Sequence, residues 1–102
     1  MGVCIQPDVL NMSYTSYATW INELCRAAGY STRPSVIDEN PLSILLTHAD
    51  HEGSISVLNT MQIIPVLVSL LPKLDGRWKI STEIFIDRAE RSVTNNEALR
   101  YM

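Results

Sequence analysis

The stretch "ELCRAAGYSTRPSVI", residues 23–37, joins the end of one element to the start of another. Upstream of it, apolar side chains recur every three or four residues, the pattern of one buried stripe on an amphipathic helix; they are Tyr17, Trp20, Ile21, Leu24, Cys25 and Ala28. Thr15 or Ser16 can cap the start of this helix, and Gly29 suits a left-handed stop at its end. We therefore predict a helix ending at Gly29, followed by a strand, "TRPSVIDE", over residues 32–39.

Further along, Asn40 as a cap and Pro41 at a first helical position predict a second helix, "PLSILLTHADHE", ended by Gly53. "SISVLN" (54–59) predicts a short strand, whereas "TMQIIPVLVSLLP" (60–72) fits helix and strand equally well. Alternation in "GRWKISTEIFIDRA" (76–89) predicts a strand, and a closing helix is predicted over "NNEALRYM". Helices alternating with strands predict a single α/β domain over residues 1–102. It would be a small layered domain with a mixed, mostly parallel sheet flanked by helices.

Composition narrows the classes of function. The chain has 102 residues, of which 46% are hydrophobic and 19% charged, as in an ordinary globular domain. Its formal net charge is −3 and it has no basic stripe, which disfavours direct binding of nucleic acid. The longest apolar run, "IIPVLVSLLP", is too short to cross a bilayer, and no membrane association is expected. Cys4 and Cys25 are too few for a disulfide framework and indicate a cytoplasmic protein.

Residues 18–40, "ATWINELCRAAGYSTRPSVIDEN", resemble part of the C-terminal effector-binding domain of LysR-type transcriptional regulators, specifically its second α/β subdomain. The later segments "LSILLTHADHEG", "SISVL" and "KISTEIFIDRAERSVTNNEALRYM" follow that family's order of elements. The resemblance implies a periplasmic-binding-protein-like half-domain, without the DNA-binding domain, that senses a small organic acid or aromatic effector. In the family the ligand cleft lies between two subdomains. A partner subdomain or a second copy would therefore supply the other wall.

The candidate ligand-binding residues lie near predicted element ends. The hydroxyl-rich stretch "NMSYTSYAT" (11–19) precedes a helix whose free N–H groups can hold an anion. Other polar residues follow the two predicted strands, where ligands of open α/β sheets bind. The predicted site comprises Ser13, Tyr14, Thr15, Ser16, Glu39, Asn40, Asn59 and Thr60. In the alternative interpretation the same hydroxyls only cap the helix and form turns.

Two other functions stay open beside a non-catalytic effector-binding or regulatory domain. A lone half-domain would expose a face that is normally covered, with Trp78, Ile84 and Ile86 as candidates, and a homodimer is therefore expected. The first alternative function is a stand-alone homodimeric interaction or assembly protein that binds no small ligand. A small metal-dependent enzyme would use "HADHE" (48–52), in which two histidines and Glu52 share one face of the predicted helix. The spacing matches no zinc signature, and the serines lie in no nucleophile elbow. Neither catalysis nor a cofactor is predicted.

Overall fold

The structure, a computed structural model, describes residues 2–102. Met1, which the predicted domain of residues 1–102 includes, lies outside the described residues. The strands are β1 (Gly2–Gln6), β2 (Leu10–Ser13), β3 (Ser54–Ile55) and β4 (Leu99–Tyr101). The helices are α1 (Tyr14–Ala27), α2 (Leu42–Leu46), α3 (Val57–Leu70) and α4 (Gly76–Thr94), and a 3-10 turn, Leu71–Lys73, follows α3.

The four strands form one sheet in the order β2-β1-β4-β3, and every neighbouring pair is antiparallel. The predicted mixed, mostly parallel sheet is therefore wrong, and so is the half-domain fold that the family resemblance implied. The connection between β1 and β2 explains the antiparallel orientation of this pair, because only residues 7–9 join them, whereas parallel neighbours need a crossover of a dozen residues or more. The Val9 N–H closes that hairpin by donating to the Ile5 carbonyl at 2.9 Å.

Helix α1 confirms the first prediction. The N-cap residue is Ser13, however, and not Thr15 or Ser16 as predicted. The Ser13 hydroxyl accepts the Ser16 N–H at 3.1 Å. Gly29 adopts a φ of 89°, the left-handed conformation expected of a helix stop. Five residues of the predicted stripe are buried, namely Tyr17, Trp20, Ile21, Leu24 and Cys25. The helix contacts β1 and β2 as well as α2 and α4, so it lies at the centre of the core.

The C-terminal part of the chain contradicts two predictions. Residues 76–89 belong to helix α4 and not to a strand, because their buried positions recur every three or four residues: Thr82, Phe85, Ile86, Ala89 and Ser92. The predicted closing helix over 95–102 is instead the short strand β4. Ile86 is only 7% exposed, so it cannot belong to the apolar contact surface predicted for it, whereas Ile84 is 40% exposed.

Residues 31–53 are mostly irregular. The predicted strand over 32–39 is absent, and Val36 and Ile37 within it are 68% and 63% exposed. The predicted second helix is confirmed only as the five residues of α2. Arg33 holds this region together, because its Nε donates to the Leu46 carbonyl at 2.6 Å and its Nη2 to the His48 carbonyl at 3.2 Å. Those two bonds satisfy carbonyl groups that the end of α2 leaves free.

The predicted strand over 54–59 is reduced to the two residues of β3. Helix α3 begins directly afterwards, so the ambiguous stretch 60–72 is mainly helical, with Pro65 inside the helix. The Ser56 hydroxyl caps α3 by accepting the Asn59 N–H at 3.1 Å. No helix within residues 2–102 is long and apolar enough to cross a membrane.

Candidate functional site

The two faces of the sheet differ in burial. Alternate residues of a strand point to opposite faces, and those on the inner face are buried under the helices: Val3, Ile5, Leu10, Leu99 and Tyr101. The residues between them are exposed or half-buried; they include Cys4, Gln6, Asn11 and Arg100. The outer face of the sheet is therefore open to solvent along the part of the chain that the structure describes.

A cavity of about 600 Å³ lies on this outer face. It is lined by Gly2, Cys4, Asn11, Tyr14, His51 and Met102. Cys4 and Asn11 are opposite one another on β1 and β2, and Met102 is joined to β1 by a 2.9 Å hydrogen bond from its N–H to the Cys4 carbonyl. The volume is within the range of about 300–1,000 Å³ that is usual for small-molecule sites. We call it the outer-face cavity.

Apolar and polar groups both line the outer-face cavity. Tyr14 is 41% exposed and Met102 is 66% exposed, so an aromatic ring and a thioether are accessible to a ligand. Tyr14 reaches this position because Ser13 ends β2 and at once caps α1, which makes Tyr14 the first helical residue. The Cys4 thiol accepts a hydrogen bond from Gln6 Nε2 at 3.0 Å, which orients the sulfur. A ligand here would meet a stacking surface beside an amide and an imidazole.

Carboxylates flank the imidazole of the cavity. His51 Nδ1 lies 3.1 Å from Asp50 Oδ1, and His51 Nε2 lies 3.9 Å from Glu52 Oε1. Two negative charges within about 4 Å repel an incoming anion and attract a cation. The electrostatics of the cavity therefore favour a neutral or positively charged ligand over an acid.

Tyr14 is the only residue of the predicted site that lines the outer-face cavity. Its neighbours have local structural contacts. The Ser13 hydroxyl caps α1, the Thr15 carbonyl accepts the Thr19 hydroxyl at 3.0 Å, and the Ser16 hydroxyl accepts Arg77 Nη2 at 3.3 Å. The hydroxyl-rich stretch is thus engaged mainly in capping and packing of the helices.

The other predicted site residues lie elsewhere. Glu39 and Asn40 are in the turn before α2. The Tyr30 hydroxyl donates to the Asp38 carboxylate at 2.8 Å and so holds this turn near the C-terminal end of α1. That turn is separated from Ser13 by the length of α1, roughly 20 Å. The Asn40 side-chain oxygen accepts the Leu42 N–H at 3.0 Å, but the N-cap position of α2 is Pro41 and not Asn40 as predicted, and Pro41 is not the first helical residue.

Asn59 and Thr60 are in the first turn of α3, where Thr60 is buried and its hydroxyl donates to the Ser56 carbonyl at 2.8 Å. Helix α3 follows β3, which lies three strands away from β2, a distance of roughly 14 Å. The structure therefore does not bring the three predicted groups together. The carboxyl ends of neighbouring strands share one edge only in a parallel sheet, and the sheet of this chain is antiparallel.

The histidine cluster is also divided. Helix α2 ends at Leu46, so residues 48–52 do not share a helix face. The His48 ring stacks on Tyr101 with centroids 4.1 Å apart, and its Nε2 lies 3.3 Å from the Ser54 carbonyl oxygen, whereas His51 lines the outer-face cavity. Within residues 2–102, no three His, Cys, Asp or Glu side chains are grouped so that they could hold a metal ion.

Most of the cavity residues had no usable signal in the sequence. The alternation in "GVCIQ" (2–6), with Val3 and Ile5 apolar, is the one local indication that Cys4 lies on an outer strand face. Met102 enters the cavity only through its hydrogen bond to β1, and His51 lies in the irregular segment before β3, far from β1 in the sequence.

Comparisons of the chain with protein-family models, curated proteins and solved structures give no match. The similarity to LysR-type effector-binding domains therefore stays a prediction from the sequence.

Proposed function

We propose that the chain is a non-catalytic, small-molecule-binding domain that holds a planar aromatic ligand, neutral or cationic, in the outer-face cavity. The observation that carries the proposal is the combination of an exposed Tyr14 ring with Asn11 and His51 around one concave space of about 600 Å³. Aromatic rings bind planar ligands by stacking, and a few polar groups then set their orientation. Of the two kinds of effector expected from the sequence, small organic acids and aromatic compounds, we propose the aromatic compounds.

The charge of the ligand follows from the groups around His51. A carboxylate ligand would approach Asp50 and Glu52 together with the imidazole, and its attraction to a protonated histidine would be offset by repulsion from both carboxylates. A neutral ring or an amine avoids that repulsion. We therefore do not propose an organic acid as the ligand, although the sequence also led us to expect one.

The proposed regulatory action is stabilisation of the assembled fold. The cavity is built from three separate parts of the chain: residues 2–14, His51 and Met102. An unfolded chain has no such site, so a ligand binds only the native state and stabilises it by mass action. A ligand that ties the two ends of the chain together would reduce local opening of the outer strands. The free Cys4 and Cys25 thiols support action in a reducing, cytoplasmic compartment.

A thermal-shift experiment with three matched ligands tests the proposal. Indole, tryptamine and indole-3-acetate share a ring and differ in charge. At about ten times the dissociation constant, indole or tryptamine should raise the melting temperature by about 6 °C, and indole-3-acetate should have a much smaller effect.

Two variants localise the effect. Tyr14→Ala removes the stacking surface and should abolish the shift, whereas Thr15→Ala alters the next exposed residue, outside the cavity, and should retain it. The proposal is wrong if none of the three ligands changes the melting temperature, or if Tyr14→Ala responds like the unaltered chain. A response confined to indole-3-acetate would contradict the charge argument.

A further inference from the structure

Helix α3 exposes a row of apolar side chains to solvent. The row consists of Leu58, Met61, Pro65 and Val68, at intervals of three, four and three residues, so that they share one side of the helix. Leu58, Met61 and Val68 are 64%, 51% and 48% exposed, and no described residue of the chain covers them. We call this row the α3 seam.

The α3 seam is distinct from the face of α3 that forms the core. Ile63, Leu67 and Leu70 are buried, and the helix packs on α2 and α4. A helix with one buried face normally carries charged residues on its opposite face. Here the whole stretch from Ser54 to Pro72 contains no Asp, Glu, Lys or Arg, although 19% of the chain is charged. A helix that is apolar on both sides is expected where both sides are buried.

The positions of the seam residues have a two-fold symmetry. In an antiparallel contact between two copies of α3, centred at Ile63, Leu58 is as far from the centre as Val68, and Met61 is as far as Pro65. Leu58 of each copy would therefore meet Val68 of the other. Because α3 carries no charged residue, the two α3 helices bring no like charges together across the axis, which favours a self-complementary contact.

A groove beside the seam provides a receiving surface. It has a volume of about 270 Å³ and is lined by Met61, Ile64, Pro65, Glu90, Val93 and Thr94, where α3 lies against α4. Side chains of a second helix laid along the seam can enter this groove, as ridges enter grooves in helix packing.

We propose that the chain forms a homodimer in which the α3 seams of two copies pair antiparallel. The seam and its groove offer on the order of 400 Å² per copy, about half of the roughly 800 Å² that a standard interface buries on each partner. An interface of this size is at the low end of the range for specific complexes, so we expect a weak dimer that forms as the concentration increases. The ligand site lies on the sheet and plays no part in this contact.

Sedimentation equilibrium from about 1 μM to about 1 mM tests the dimer. The mass should rise from that of the 11.5 kDa chain toward twice that value as the concentration increases. Met61→Glu places two negative charges near the axis and should weaken association at least 10-fold. Ile80→Glu is the matched control, because Ile80 is a 58% exposed apolar residue of α4 outside the seam. Both altered positions are on the surface, and circular dichroism confirms that each variant is folded.

The antiparallel register is tested by charge exchange. Leu58→Lys alone and Val68→Asp alone should each weaken the dimer, because each places an unpaired charge against an apolar side chain. The double variant places opposite charges against each other across the axis and should recover association. A chain that stays monomeric up to about 1 mM would overturn the proposal. A dimer that Met61→Glu leaves unchanged, or a double variant weaker than both single ones, would also overturn it.

Discussion

Replacing Tyr101 with phenylalanine removes one hydroxyl from a hydrogen bond that is closed to water. The hydroxyl oxygens of Tyr17 and Tyr101 lie 2.8 Å apart, and the two residues are 1% and 4% exposed. Among residues 2–102, neither hydroxyl has another hydrogen-bond partner. The rings meet edge to face at a centroid distance of 6.2 Å, so the pair joins α1 to β4 in the centre of the core.

The expected magnitude follows from what each substitution leaves behind. Tyr101→Phe or Tyr17→Phe alone leaves one buried hydroxyl unpaired, which lowers the free energy of unfolding by about 1–3 kcal/mol. The double variant leaves two apolar rings, and its free energy of unfolding should fall by no more than about 1 kcal/mol. The two single losses then sum to about 2–6 kcal/mol and exceed the loss of the double variant by at least about 1 kcal/mol, and this difference is the coupling energy of the double-mutant cycle.

Urea unfolding followed by tryptophan fluorescence measures this cycle. Trp20 is buried with its ring centroid 5.8 Å from that of Tyr17, so its emission reports on the same part of the core. Tyr14→Phe, at an exposed tyrosine, is the control and should leave the unfolding midpoint unchanged. If the losses of the two single variants simply add in the double variant, the hydroxyl pair does not stabilise the fold in the way described.

Three further predictions concern the same core and its border. Burial raises the pKa of Tyr17 to about 12 and that of Tyr101 well above its ordinary value, so the native state keeps protons that the unfolded chain releases above pH 10. Stability should be intact below pH 10 and should fall toward pH 12 by up to about 1.4 kcal/mol per pH unit for each of the two tyrosines, less steeply in the double phenylalanine variant, as measured by urea midpoints. Thr82→Val removes the acceptor of the buried indole N–H of Trp20 and should lower the free energy of unfolding, measured in urea, by about 1–3 kcal/mol. The control is Thr19→Val, because Thr19 is exposed and its hydroxyl donates to a carbonyl of its own helix as that of Thr82 does; it should lower the free energy of unfolding by less than about 0.5 kcal/mol. Arg33→Gln removes two bonds to carbonyls and should speed proteolysis within residues 31–53 by about 10-fold; an unchanged cleavage rate would show that this region is held by other contacts.

The sequence was misleading where two periods overlap. In residues 78–86, Trp78, Ile80, Ile84 and Ile86 alternate as a strand would, yet the same stretch also contains Thr82, Phe85 and Ile86 at helical spacing. Tertiary packing decides between them. Trp20 Nε1 donates to the Thr82 hydroxyl at 2.9 Å, and the ring centroids of Trp20 and Phe85 are 5.4 Å apart. The residues at helical spacing are therefore the ones that α1 buries.

The sequence by itself determined helix α1, its stop at Gly29 and its buried stripe, because these features depend on residues within one or two turns of each other. Only the tertiary structure decided the sheet and the outer-face cavity. The strands have two to five residues each and become stable only when they pair with distant segments, as when Ile5 pairs with Tyr101. No local pattern encodes such a pairing, since it arises from burying one face of the whole sheet against the helices.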